Sequence, residues 1–146
     1  MYRRTVLDSF QFNPSISASA DFDLNIRIAR DFPIYCHDKA VLEYRKHDSN
    51  MSANSSVMLK HAVTARRLQW KYVKGRKQYE DAYRIGIRVV REDYGEQLVS
   101  QVRGCIREHQ WVAAIRGMVV LLRCYPRGFA THFARGVYSF LFRVKS

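Results

Sequence analysis

Cysteine is scarce and awkwardly spaced: Cys36, Cys105 and Cys124 are an odd number, with no CxxC pair. That argues against a disulfide framework or a zinc ribbon and fits a reducing compartment. The opening MYRRTVLDSF holds no apolar stretch of signal-peptide length, so nothing in it indicates export. No run reaches the roughly 18–20 uninterrupted apolar residues that span a bilayer. The nearest, WVAAIRGMVVLLRCY, is broken by Arg116 and Arg123. A glycine-rich phosphate loop, an internal repeat and a low-complexity tract are all missing as well.

What remains suits one modest domain or part of a larger one: 146 residues, 47% hydrophobic and 13% aromatic, enough to build a core. Acidic residues are scarce only in the second part. Residues 1–50 carry seven Lys/Arg and seven Asp/Glu, whereas residues 51–146 carry eighteen and six and so hold the whole net charge of +12. A neutral head followed by a strongly basic tail points the tail toward an anionic partner, such as a membrane surface or a nucleic acid.

Periodicity divides the chain near residue 54, into a head over 1–54 and a helical extension over 55–146. In the head, FQFNPSISASA reads as a loop, by its Asn-Pro and its serines. Ser19 is a fitting N-cap for a short helix, DFDLNIRIAR, with Asp21 and Asp23 in its first turn and Pro33 stopping it. PIYCH and AVLEYR read as two short strands. The expected fold class is therefore an α/β head followed by a mainly α-helical basic tail. From Ser55 on, Met58, Ala62, Ala65, Leu68, Tyr72, Tyr79 and Tyr83 mark one helical face, and DYGE at 93–96 reads as its end. Further helices are expected at about 96–109, 110–124 and 128–143.

Two groups in the head could do chemistry. The pair Asp21 and Asp23 has the DxD spacing of acids that bind a cation and a nucleotide diphosphate. It opens a helix instead of following a strand, and neighbours two apart do not share a helical face. His47 stands in YRKHDSNMS, after the second expected strand, where a scaffold presents functional groups but where, on the segment alone, an idle solvated histidine is the commoner case. A zinc site from Cys36, His37 and His47 fits no common ligand spacing.

The segments MYRRTVLDSF and SASADFDLNIRIARDFPIYCHDKAVLEYRKHDSNMS resemble the C-terminal part of the catalytic domain of family 2 glycosyltransferases, inverting enzymes of the GT-A type. The resemblance covers about residues 1–60. It implies that Asp21 is the catalytic base that takes the proton from an acceptor hydroxyl. It also implies that His47 helps to hold a divalent metal, Mn²⁺ or Mg²⁺, on the donor's diphosphate, with Arg45 as a phosphate contact. Ala20 stands where the family has the first acid of its pair. The family's nucleotide-binding half, with its DxD strand, has no counterpart in these residues. The expectation is a glycosyltransferase segment that does not transfer sugar as this chain alone. Its partners in the full-length enzyme would be a nucleotide-sugar donor and a glycan or lipid-linked acceptor, at the cytoplasmic face of a membrane.

For the basic tail three readings stand side by side. One is solvated helix faces, with Trp70 and Trp111 in a helical core. Another is a membrane-surface role, with Arg116, Arg123, Arg127, Arg135, Arg143 and Lys145 meeting anionic lipid while Phe129, Phe133 and Phe140 dip below the headgroups. The last is nucleic-acid binding, which the charge favours but no helix-turn-helix, zinc-finger or RNP-type signature supports.

Overall fold

The computed structural model describes residues 4–35, 38–40, 43 and 54–143, the last nine of these as backbone only. Every element in them is helical: α1 (Arg4–Ser9), α2 (Ala20–Asp31), α3 (Ser55–Arg67), α4 (Trp70–Val73), α5 (Lys77–Arg107), α6 (Trp111–Cys124) and α7 (Pro126–Arg143).

The boundary at residue 54 has a local cause. Asn54 caps α3, its Oδ1 accepting a hydrogen bond from the Val57 N–H at 3.1 Å, one of the donors that a helix start leaves unpaired. Gly75, at a φ of +87°, makes the turn between α4 and α5 that a side chain would resist. α5 is the axis of the molecule. Its 31 residues extend about 46 Å at 1.5 Å per residue, and α3, α6 and α7 all pack against it. The main core lies between α3, α5 and α6, where Leu59, Ala62, Val63, Val90, Leu98, Val99, Val102, Ala114 and Leu121 are buried. α6 approaches α5 closely through Gly117. A Cβ there would stand 2.5 Å from Cγ2 of Val102, so a larger residue would push the two helices apart.

The α/β head is corrected by the structure: among the described residues there is no strand. Pro33, Ile34 and Tyr35 of the first expected strand pair with nothing regular, and Tyr35 is 89% exposed. The remainder of that segment and most of the second expected strand lie outside the described residues. A short apolar run has the composition of a strand, but it needs a neighbouring ladder to become one. The resemblance to a GT-A catalytic domain loses its structural basis here, because that fold is built on a sheet.

The head is instead a small helical appendage. Val6, Leu24 and Ile28 form its core with Phe10 against them, and Ile16 and Ala18 of the loop are buried too. It is fastened to α3 by polar contacts. Arg66 lies 3.9 Å over the Phe22 ring, and Ser17 Oγ is 3.2 Å from His61 Nε2.

DYGE does not end a helix. Gly95 and Glu96 sit mid-way along α5, because Gly95 leaves room for the Tyr125 ring, which a Cβ would overlap. α5 runs on to Arg107, and two residues beyond its end His109 holds a left-handed φ of 59°. Gln110 N–H donates to the Cys105 carbonyl at 2.8 Å and His109 N–H to that of Ile106 at 3.2 Å. This is a Schellman closure with histidine where glycine normally stands. His109→Gly removes the Cβ penalty of roughly 1 kcal/mol and raises the midpoint of thermal unfolding. An unchanged or lowered midpoint would show that the His109 ring, edge-on to Trp111 at 6.0 Å, contributes as much as its backbone costs.

Candidate functional site

The two head carboxylates have different surroundings. Asp21 is exposed, and its Oδ1 accepts from the next residue's N–H at 2.8 Å. Asp23 is 1% exposed: Arg27 Nε donates to its Oδ2 at 2.9 Å, and Gln69 Nε2 to its Oδ1 at 3.3 Å. Arg27 also donates to the Gln11 carbonyl at 2.5 Å. Asp23 thus ties α2 to the loop before it and to the end of α3, as a buried carboxylate with both oxygens engaged. Ser19 occupies the N-cap position of α2 with a left-handed φ of 61°, and its side chain makes no capping bond. Arg45 and His47 lie outside the described residues, as do Cys36 and His37. Among the described residues no three His, Cys, Asp or Glu side chains converge as a metal would require.

A polar cluster that periodicity does not reveal joins α5 to α7. Both Glu96 carboxylate oxygens lie 2.8 Å from His132 Nε2, and Tyr125 donates its hydroxyl to Oε1 at 2.9 Å. Arg103 Nη2 is 3.2 Å from His132 Nδ1. A guanidinium only donates, so a neutral ring here would accept at Nδ1 and carry its hydrogen on Nε2, facing Glu96. Hydrogen bonding from His132, then from Tyr125, with the charge of Arg103 nearby, holds the Glu96 carboxyl below its ordinary range. Burial, and then the Glu96 carboxylate, push the Tyr125 phenol up to about 12. Both shifts work against proton transfer near neutrality, since the carboxylate becomes a weaker base and the phenol a weaker acid. The cluster is a clamp that fastens the start of α7 to α5.

The clamp borders a cleft of about 1010 Å³ between the end of α3, the first half of α5 and the first turn of α7. Arg67, Arg84, Arg88, Arg91 and Arg127 line it, opposed by only two carboxylates, Asp81 and Glu92.

The other unusual surface is the outer face of α6. Ala114, Gly117, Leu121 and Cys124 are buried against the core. The face turned away is apolar as well: Trp111 is 56% exposed, Val112 65%, Ile115 56% and Leu122 53%, with Val119 also exposed. At about 100° per residue, Trp111, Ile115 and Leu122 fall within roughly 40° of one another, and Val119 and Val112 continue the face to its edge. Arg116 and Arg123, both exposed, stand along that edge. Trp111 therefore belongs to the surface, not to a helical core; Trp70 is half-buried, 5.0 Å from the Tyr83 ring. On α7, Phe133 is exposed and Phe129 packs partly against the core, while the side chains of Arg135, Phe140 and Arg143 lie outside the described residues.

Comparison with protein-family models, with curated proteins and with solved structures finds no match to the chain. Together with the helical head, this overturns the resemblance to family 2 glycosyltransferases. Among the described residues, no helix is long and apolar enough to cross a membrane.

Proposed function

We propose that this chain is a basic helical protein that docks on an anionic membrane surface through the outer face of α6. The observation that carries the reading is a helix apolar on both sides, one side buried in the core and the other exposed beside two arginines. A helix that is apolar all round is ordinarily covered on all sides, and a contiguous exposed patch of this kind marks an interaction surface. Lipid is the occupant that the surrounding chemistry favours. Tryptophan is at home at the headgroup boundary. The arginines can extend their guanidinium groups to lipid phosphates while the apolar side chains enter the acyl region. The net charge of +12 adds long-range attraction to an anionic leaflet.

A second copy of the chain fits less well, because pairing two α6 faces would bring like-charged arginine edges together. Nucleic acid gains nothing from burying isoleucine and leucine in this manner, since its affinity rests on phosphate and base contacts. Sedimentation with vesicles separates the cases. The chain is expected to co-sediment with phosphatidylcholine vesicles that contain phosphatidylglycerol, and at least tenfold less with phosphatidylcholine alone. Failure to bind either vesicle, alongside a shift of duplex DNA or a dimer in analytical ultracentrifugation, would transfer the face to that other occupant.

A further inference from the structure

The arginine-lined cleft belongs to a different part of the molecule's chemistry from the α6 face. Of its five arginines, Arg84 alone is engaged by acids, contacting Glu80 at 3.3 Å and Asp81 at 3.6 Å. Among the described residues, Arg67, Arg88, Arg91 and Arg127 form no ion pair. Arg91 is the telling member: its Nε is buried and has no hydrogen-bond partner among the described residues. A buried donor left unpaired costs roughly 1–3 kcal/mol, a cost that is relieved if an acceptor in the cleft draws the Arg91 guanidinium outward to meet it. Arg88 and Arg91, three residues apart, lie on one side of α5. Arg127 faces them from the first turn of α7, where the helix dipole adds positive potential.

The remaining lining is apolar and aromatic: Tyr83, Ile85, Ile87, Tyr125 and Pro126. The volume of about 1010 Å³ exceeds what a lone phosphate fills and lies at the upper end for small-molecule sites. Planar guanidinium groups pair with phosphate oxygens two at a time, which gives geometry as well as charge. We infer that this cleft binds a phosphomonoester or diphosphate group carried on a body with an apolar portion. Such a group can come from a soluble phosphorylated metabolite or from a lipid headgroup.

The experiment uses the full chain and two probes, inorganic pyrophosphate and monomeric dihexanoyl phosphatidic acid, each titrated by calorimetry at fixed ionic strength. At least one probe is expected to bind saturably with one site per chain. Arg88→Gln/Arg91→Gln weakens that binding tenfold or more, and the single Arg127→Gln, in a residue with no ion pair to lose, weakens it about threefold. Arg116→Gln/Arg123→Gln on α6 leaves it within twofold, as does Trp111→Gln/Ile115→Gln, so the outcome is separable from membrane docking. Tenfold tighter binding of phosphatidic acid than of pyrophosphate assigns the group to a lipid; comparable binding assigns it to a soluble ligand. Saturation by neither probe, or equal weakening by the cleft pair and the α6 arginine pair, would overturn the site.

Discussion

Gly128→Ala is expected to lower the stability of the chain by about 3 kcal/mol, at the upper end of what overpacking costs. In an ordinary helix the same change would stabilise by about 1 kcal/mol, because alanine is the better helix former. The sign reverses here because a Cβ at position 128 would overlap the Tyr125 ring near its hydroxyl end. That ring cannot step aside freely. Gly95 admits it from the α5 side with as little room, and its hydroxyl is held by Glu96. The partner substitution tests the cause. In a Tyr125→Ala background, which empties the slot, Gly128→Ala should cost less than about 1 kcal/mol, and Gly95→Ala should follow the same pattern. Urea unfolding of the four chains gives the coupling. Strict additivity of the Gly128 and Tyr125 effects would show that α7 is not seated through this ring.

Trp111→Gln/Ile115→Gln should weaken partition onto anionic vesicles by about thirtyfold. Withdrawing two large apolar side chains from a membrane loses about 2 kcal/mol if each is half-buried there, at 1.5–3 kcal/mol for full burial, and 1.4 kcal/mol corresponds to a factor of ten. Because both residues are more than half exposed, the variant should stay folded and unfold within a few degrees of the wild-type temperature. Arg116→Gln/Arg123→Gln removes two charges worth about 1 kcal/mol each near an anionic surface, for a loss of roughly thirtyfold at low salt that shrinks as salt is added. The apolar variant's loss should not depend on salt. A loss from the arginine pair alone, with the apolar pair neutral, would reduce the association to simple charge attraction.

The helical frame was readable wherever its cause is local. The start of α3 at Ser55 follows from the Asn54 cap, and the break before α7 follows from Pro126, with its fixed φ and missing N–H. Errors arose where the cause is distant. Gly95 looks like a helix end until Tyr125, thirty residues on, is seen in the space it leaves. PIYCH has strand composition, but no partner strand stands beside its described residues. Asp23 was one of a pair of first-turn acids by sequence. Its burial depends on Gln69, and the clamp depends on Glu96 meeting His132, separations of 46 and 36 residues. The outward face of α6 was present as an apolar run interrupted by two arginines, yet periodicity cannot tell which side of a helix with two apolar faces its neighbours will cover.

If the outer face of α6 enters a membrane surface, Trp111 must lie at the depth of the headgroup boundary. In a Trp70→Phe chain, Trp111 is the sole tryptophan. On vesicles containing phosphatidylglycerol its emission should shift to the blue and be quenched most by lipids brominated near the headgroup end of the acyl chain. Emission that stays at its aqueous wavelength and is untouched by brominated lipid, while the chain sediments with the vesicles, would rule out insertion of the α6 face.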